Sequence, residues 1–315
     1  MKMKILVCEK IDPEVLKELS LLGQITDISN DNNKDLIHKE IVDSSIVVIR
    51  SATTISKDLI DSSRELKIIA RAGVGVDNID IEAATQKNIY IINAPYSNVI
   101  SAAEITVGLI LSVARNIVSA NISMKNGEWN RSDFMGIELF EKQLGLVGFG
   151  KVGNLVAERM LAFGMKIGIY DPYIGNIDEP YTRFESLDEL LKSSDVISLH
   201  LIKTSETLNL ISKKKLDLLK KEAIFINASR GGIVDEEALL KKKEKKEIYG
   251  FGLDVYASEP PEFSESLLNT DGITLPHLGA STKDAQFRAG IELVDNIKKV
   301  LDGNKKIALN FDDIN

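Results

Sequence analysis

Gly148-x-Gly150-x-x-Gly153, followed eighteen residues later by Asp171, has the types and spacing of a dinucleotide site. Gly148 permits a tight turn, Gly150 lets backbone approach a pyrophosphate, and Gly153 lets a helix pack closely on a strand. The N-terminus of that helix offers N–H groups and partial positive charge to phosphates. Asp171 stands near the position, about 20 residues on, of a carboxylate that holds the adenosine ribose hydroxyls. Such a carboxylate repels a 2′-phosphate, so NAD rather than NADP is expected. Arg230, Glu259 and His277 supply a second kind of chemistry. Oxidising a hydroxy acid needs a cation for the carboxylate, a base for the hydroxyl proton, and a nicotinamide to take the hydride. Arg230 offers a planar fork for a carboxylate, His277 an imidazole for proton exchange, and Glu259 could hold that imidazole. Singly, each has a bland reading: a surface charge, a hydrogen-bonded core histidine, a stiff Glu-Pro-Pro turn. Their shared placement beside the dinucleotide motif gives them weight.

The elements that must position these residues read as two alternating βα series. In the second, apolar runs at 144–147, 166–170, 196–199, 223–227, 249–253 and 273–275 read as six strands, enough for two mononucleotide-binding halves. Ligands in open α/β sheets bind beyond the carboxyl ends of strands, and Asp171, Arg230, Asp254 and His277 all stand at such ends. The first series has strand candidates at Ile5–Val7, Gln24–Ile28, Ile46–Ile49, Leu66–Ala70 and Ile89–Ile92. Helical patterns lie between them at Pro13–Leu22, Lys34–Val42, Ser56–Ser63 and Ile79–Lys87, the first opened by Asp12 and Pro13. Arg50 and Arg71 close two of its strands, and Gly73 to Gly75 follow the second. A long apolar helix from about Asn98 to Ile117 and a polar loop, 125–131, join the two series. A final helix, roughly Lys283–Leu301, carries Phe287, Ile291, Val294, Ile297 and Leu301 in one stripe and is expected to pack back on the first series.

The expected fold is therefore α/β: a Rossmann dinucleotide-binding domain, 98–280, and a smaller flavodoxin-like doubly wound domain, 1–97 with 281–315. A length of 315 residues suits two domains. With 44% hydrophobic and 27% charged residues and a net charge of −8, the chain has the balance of a globular protein and no basic field for nucleic acid. The Lys-rich run 241–246 reads as a solvated helix face. Cys8, the single cysteine, reads as core and allows no intrachain disulfide. His38 and His200 stand in no His/Cys cluster, so a metal-dependent mechanism is not expected. The N-terminus lacks the pattern of a signal peptide and no apolar run is long enough to span a bilayer, so a cytoplasmic location without membrane partners is expected.

Four motifs now coincide: Gly148-Phe-Gly-Lys-Val-Gly, Asn227-Ala-Ser-Arg-Gly-Gly-Ile-Val-Asp-Glu, Gly252-Leu-Asp-Val-Tyr-Ala-Ser-Glu-Pro-Pro and Pro276-His-Leu-Gly-Ala-Ser-Thr. Together they resemble the D-isomer-specific 2-hydroxyacid dehydrogenases over nearly the whole chain. The resemblance implies Arg230 as carboxylate binder, His277 as proton acceptor and donor, and Glu259 as its partner. It implies cofactor contacts from Lys151, Val152, Leu201, Ala228, Ser229, Arg230, His277, Gly279 and Ala280, with Asp254 near the nicotinamide amide. Backbone N–H groups of Gly73, Val74 and Gly75 would meet the substrate carboxylate.

Within the family, Arg50-Ser-Ala-Thr, Arg71-Ala-Gly-Val-Gly-Val-Asp-Asn, Ser101-Ala-Ala-Glu and Trp129-Asn-Arg-x-x-Phe-Met-Gly are most similar to the phosphoglycerate dehydrogenase branch. This implies oxidation of D-3-phosphoglycerate to 3-phosphohydroxypyruvate, with Arg50, Arg71 and, across a homodimer or higher oligomer, Arg131 receiving the phosphate. Two departures stand out. Val74 replaces a common Thr, and His200-Leu-Ile-Lys lacks a common Pro on the adenine side. The chain stops soon after its last helix, so serine inhibition through a C-terminal regulatory domain is not expected. Two other readings stay open: a glyoxylate or hydroxypyruvate reductase, and an NAD(H)-sensing relative that binds protein partners.

Overall fold

The computed structural model describes residues 3–30 and 34–314. The chain divides into two compact units, residues 1–98 with 280–315, and residues 99–279. The first begins with β1 (Lys4–Val7), α1 (Pro13–Leu22), β2 (Gln24–Asp27), α2 (Lys34–Ile41), β3 (Ile46–Ile49), α3 (Lys57–Ser62), β4 (Ile68–Arg71), α4 (Ile81–Gln86) and β5 (Tyr90–Ile92). Its five strands are parallel in the order β2-β1-β3-β4-β5, the flavodoxin-like order. Alternate residues leave opposite faces of the sheet, so Leu6, Val47, Ile49 and Ile69 enter one core while Ile5, Val7, Val48 and Ile68 enter another. Both faces are buried, which is why these strands read as unbroken apolar runs. Cys8 lies in the first core, where burial pushes its thiol up to about 12.

The second unit opens with α5 (Val99–Ala114) and α6 (Ile117–Lys125), then runs through β6 (Gln143–Val147), α7 (Lys151–Leu161), β7 (Lys166–Tyr170), β8 (Tyr181–Arg183), α8 (Leu187–Ser193) and β9 (Val196–Leu199). It closes with α9 (Lys213–Leu216), β10 (Ile224–Asn227), α10 (Glu236–Glu244), β11 (Gly250–Leu253), α11 (Glu265–Leu268) and β12 (Ile273–Thr274). Seven parallel strands form one sheet, ordered β12-β11-β10-β9-β6-β7-β8. The apolar runs of the sequence mark six. The missing strand is β8, three polar residues at the sheet edge with only partial burial, so no apolar run marks it. It supplies the third strand of the first mononucleotide-binding half, and β9 begins the second.

Three further expectations change. The helix expected from Asn98 to Ile117 ends at Ala114. Asn116 takes a left-handed conformation, φ 52°, and α6 departs at 65° to α5. Among the described residues no single helix is long and apolar enough to cross a membrane. The Lys-rich run is not wholly solvated: Lys242 is buried between Asp217 and Glu247, and Lys243 pairs with Asp271 at 3.0 Å and donates to the Tyr249 carbonyl.

The last change concerns α12 (Lys283–Leu301), which returns the chain to the first unit. It packs on α1 and the sheet through Ala289, Gly290, Leu293, Val294, Ile297 and Val300, while Phe287 and Leu301 are exposed. Val294 and Ile297 of the expected stripe are buried, and beside them the small Ala289 and Gly290 complete the face. A Cβ at Gly290 would stand 2.4 Å from Val15, so glycine is what lets the two helices approach. Beyond α12, Asn310 covers the open edge of β5: its Oδ1 accepts the Ile91 N–H at 3.0 Å and its amide donates to the Ile89 carbonyl.

Candidate active site

In the second unit the strand order reverses between β6 and β9, and the glycine turn sits at that switch point. Gly148 has φ 92°, and a Cβ there would lie 2.5 Å from the His200 carbonyl oxygen and 3.0 Å from the Leu201 side chain. A Cβ on Gly153 would lie 2.6 Å from the Gly148 carbonyl oxygen, so helix and strand meet there as closely as glycine allows. Above Gly150 the space is open: a Cβ would meet nothing within 4 Å. α7 begins at Lys151 with no side-chain cap, so its first N–H groups are not claimed by a capping side chain. Val152 and Ala228 pack partly into the core below. Asp171, at the tip of β7, accepts the N–H of Phe149 at 2.8 Å and that of Tyr173 at 2.9 Å. Turn, helix N-terminus and carboxylate thus form one hydrogen-bonded cradle, and its donor set fits a dinucleotide.

The other chemistry gathers at the ends of β10, β11 and β12. The loop after β10 is set by Asn227, whose Oδ1 accepts from Ser229 N–H and O–H while its amide donates to the Arg230 carbonyl. Arg230 Nη1 donates to the Ser229 carbonyl at 2.7 Å, which uses one of the five guanidinium N–H donors. His277, after β12, has φ 56° and presents Nδ1 to Glu259 Oε2 at 2.5 Å. Glu259 Oε1 accepts the Tyr256 N–H at 3.1 Å, which fixes the carboxylate that fixes the ring. Asp254 is wholly buried, and its two oxygens accept from the backbone of Leu278 (2.6 Å) and Gly279 (2.7 Å). Burial raises its pKa and the two backbone bonds oppose that rise. Both oxygens are engaged with the turn that carries His277, so Asp254 supports this turn directly. Burial also pushes Tyr256 up to about 12, and holds the His200 imidazole neutral by lowering it to about 4. Ala280, exposed, is the first residue of the chain's return to the other unit.

In the first unit the switch point falls between β1 and β3. Glu9, just past β1, accepts backbone N–H groups of Arg50 (2.8 Å), Ala52 (3.2 Å) and Thr53 (2.9 Å). Asn78 donates to the carbonyls of Arg50 and Thr53 from the other side. Neither residue stands out in the sequence, although Glu9 carries the same sign as the others, a charged residue at a strand's carboxyl end. Arg50 Nη1 donates to the Lys10 carbonyl at 3.2 Å. Arg71 ends β4, in register with Ile49 of β3, so the two arginines stand at neighbouring strand ends. The Arg71 guanidinium lies against Gly73, where a Cβ would approach Nη1 to 2.8 Å. Asn93 holds the Val74 carbonyl at 2.6 Å, and the Gly73 carbonyl accepts from Ala94, so the 73–75 loop is tied through its carbonyls. Arg131 belongs to the other unit, exposed at the start of a short 3-10 turn.

Comparison with known proteins places these motifs. Residues 107–279 match the model of the D-isomer specific 2-hydroxyacid dehydrogenase, NAD binding domain. A Methanocaldococcus jannaschii relative named D-3-phosphoglycerate dehydrogenase is 43% identical over 95% of the chain, which spans 58% of that protein's length. A Thermotoga maritima relative named hydroxypyruvate reductase is also 43% identical, over 94% of the chain and 97% of its own length. Among solved structures, an NAD-dependent formate dehydrogenase from Staphylococcus aureus in complex with NAD superimposes with a TM-score of 0.84 at 28% identity, covering 96% of both chains.

Proposed function

The chain belongs to the D-isomer specific 2-hydroxyacid dehydrogenases, and from that premise we propose that it oxidises D-3-phosphoglycerate to 3-phosphohydroxypyruvate with NAD. The observation that carries the chemistry is the 2.5 Å pairing of His277 Nδ1 with Glu259. With Nδ1–H given to the carboxylate, Nε2 is the nitrogen that takes the hydroxyl proton. Arg230 binds the substrate carboxylate through guanidinium donors beyond the one used on Ser229. Bound NAD supplies the acceptor for the hydride that leaves C2. The hydroxyl proton passes to His277, the C2 hydrogen leaves with its electron pair, and the keto acid remains. Arg50 and Arg71, at adjacent strand ends, support a phosphorylated substrate, because an uncharged tail needs no such cations. The backbone of Gly73, Val74 and Gly75 is the proposed second contact for the carboxylate.

A hydroxypyruvate reductase is the second reading, favoured by the Thermotoga relative, which the chain matches almost end to end. A substrate panel with NAD(H), read by absorbance of the reduced cofactor, separates the two. Phosphoglycerate dehydrogenase activity requires kcat/KM for D-3-phosphoglycerate to exceed that for D-glycerate by an order of magnitude or more, the worth of one charged contact. Equal values, or a strong preference for hydroxypyruvate over its phosphorylated form, would refute it.

A homo-oligomer belongs to the same proposal. α6 and the segment after it expose Ile117, Val118, Ile122, Met124, Trp129 and Met135, an apolar run of the kind that pairs subunits. Light scattering that returns the mass of one chain at micromolar concentration would rule it out.

A further inference from the structure

One carboxylate behind the Arg230, Glu259 and His277 set has no part in the mechanism above. Glu236 is the first residue of α10, directly after the capping residue Asp235. Its Oε1 accepts the N–H of Ala257 at 2.7 Å, and the N–H of Gly232 lies near enough to favour its charged form. These two N–H groups belong to different loops. Gly232 lies two residues past Arg230 in the loop after β10. Ala257 lies two residues before Glu259 in the loop after β11. The loops run so close that a Cβ on Gly231 would stand 1.6 Å from the Tyr256 carbonyl oxygen, a position only glycine can hold.

From Glu236 the connection continues to the base. Ala257 is covalently next to Tyr256, whose N–H goes to Glu259 Oε1, and Glu259 Oε2 receives His277 Nδ1. Burial raises the pKa of Glu236, the N–H groups of Ala257 and Gly232 oppose the rise, Glu259 adds to it, and Lys203 lowers it. Glu236 therefore sits half-buried within the field of a second carboxylate, an unfavourable place for a charge unless it ties something down.

We infer that Glu236 is a positioning residue: it joins the loop of Arg230 to the loop of Glu259 and so sets the spacing between carboxylate binder and proton acceptor. The inference rests on the roles proposed above for those three residues. Replacing Glu236 by alanine leaves the Ala257 N–H without this acceptor and lets the loops part. Misplacement by about 1 Å can cost on the order of a hundredfold in rate.

The test uses Glu236→Ala and Glu236→Gln in the full chain, with Glu237→Gln, its exposed neighbour, as control. Glutamine keeps one acceptor oxygen, so its effect should fall between wild type and alanine. Glu236→Ala should lower kcat roughly tenfold or more and raise KM for the hydroxy acid, while NADH affinity, read by fluorescence, stays within about twofold. A second readout needs no substrate. The chain has three histidines, so long-range nitrogen–proton correlation spectra resolve His277 and report its Nδ1 hydrogen bond. That signature should persist in Glu237→Gln and be lost in Glu236→Ala. A His277 spectrum in Glu236→Ala that matches wild type overturns the inference, whatever the activity. Should the alanine variant not fold, Glu236→Gln decides, and wild-type kcat/KM together with a wild-type spectrum overturns it. If wild type turns over no 2-hydroxy acid, the proposed function fails, and the spectra still report whether Glu236 positions His277.

Discussion

At the ends of β3 and β4 in the first unit, side chains serve to fix backbone. Glu9 and Asn78 pin the loop that begins with Arg50, and Asn93 pins the loop that follows Arg71. At the ends of β10, β11 and β12 in the second unit, carboxylates also fix one another's loops and the proposed proton acceptor. Asp254 holds the turn of His277, Glu259 holds its ring, and Glu236 reaches the loop of Glu259. Titratable groups behind this second cluster are shifted by burial, namely Asp254, Glu236 and Tyr256. The difference suits two tasks. A site that only binds an anion needs donors held in place, whereas a site that moves a proton needs a base held in one tautomer and one orientation.

The largest effect should therefore fall on the second cluster. His277→Asn should lower kcat by about 10²–10⁴-fold, the usual worth of general acid–base work, and leave NADH binding nearly intact. Near-normal kcat in this variant would mean that the proton is handled elsewhere. The first cluster should respond differently. Arg50→Ala and Arg71→Ala should each cost roughly ten- to a hundredfold in kcat/KM for 3-phosphoglycerate, since a charged hydrogen bond is worth about 1.5–3 kcal/mol. Unphosphorylated glycerate should hardly notice. A parallel loss on both substrates would make the arginines structural and dissolve the contrast between the clusters.

How far the sequence discloses each cluster follows from the same physics. Strands buried on both faces announce themselves, and β3, Ile46–Ile49, is read to the residue. An edge strand such as β8, with Tyr181-Thr-Arg183 half in solvent, gives no apolar signal. The glycine turn and the Glu259–His277 pair are legible because their residue types are rare at strand ends and their spacings are local or fixed by β11 and β12. The supports are not legible in the same way. Glu9 acts 41 residues away on Arg50 N–H, and Asn78 acts 28 residues away on its carbonyl. Nothing in the local pattern of either residue reports that distance. The face of α12 is legible in part: Val294 and Ile297 are buried as expected, while close approach through Ala289 and Gly290 accompanies the exposure of Phe287 and Leu301.

Buried titration offers a smaller test, centred on the glycine turn and the second cluster. His200 has its pKa lowered by burial to about 4 from an ordinary 6.5. A depressed value on a base means that its contribution to stability is complete above 6.5 and is lost as pH falls through 4. The shift corresponds to about 3 kcal/mol over that window, as an order of magnitude. Asp254 and Glu236, with raised values, act in the opposite sense: their contributions are complete at low pH and are lost as pH rises through the raised values. Melting temperature should fall between pH 6.5 and 4, and His200→Gln should flatten that slope. An unchanged slope would show that acid acts first on other groups.

The smallest effect concerns cofactor choice, and the structure alters how it should be read. Asp171 is not only the proposed partner of the ribose hydroxyls; its oxygens also take the N–H groups of Phe149 and Tyr173. An ionised carboxylate has about four acceptor sites, so two remain for ribose hydroxyls. Asp171→Ala removes both functions. It abolishes the repulsion of a 2′-phosphate, and it also frees the Phe149 N–H inside the glycine turn that both cofactors use. Each lost hydrogen bond costs about 1 kcal/mol, so kcat/KM with NAD should drop roughly tenfold while NADP gains little. The preference should narrow mainly by loss on the NAD side. Asp171→Asn, which keeps one acceptor oxygen without the charge, should lose less with NAD and gain more with NADP. Comparable kcat/KM for the two cofactors in the unaltered chain would contradict the assignment of Asp171. A rise with NADP in Asp171→Ala that matches the fall with NAD would show that its hold on the turn is unimportant.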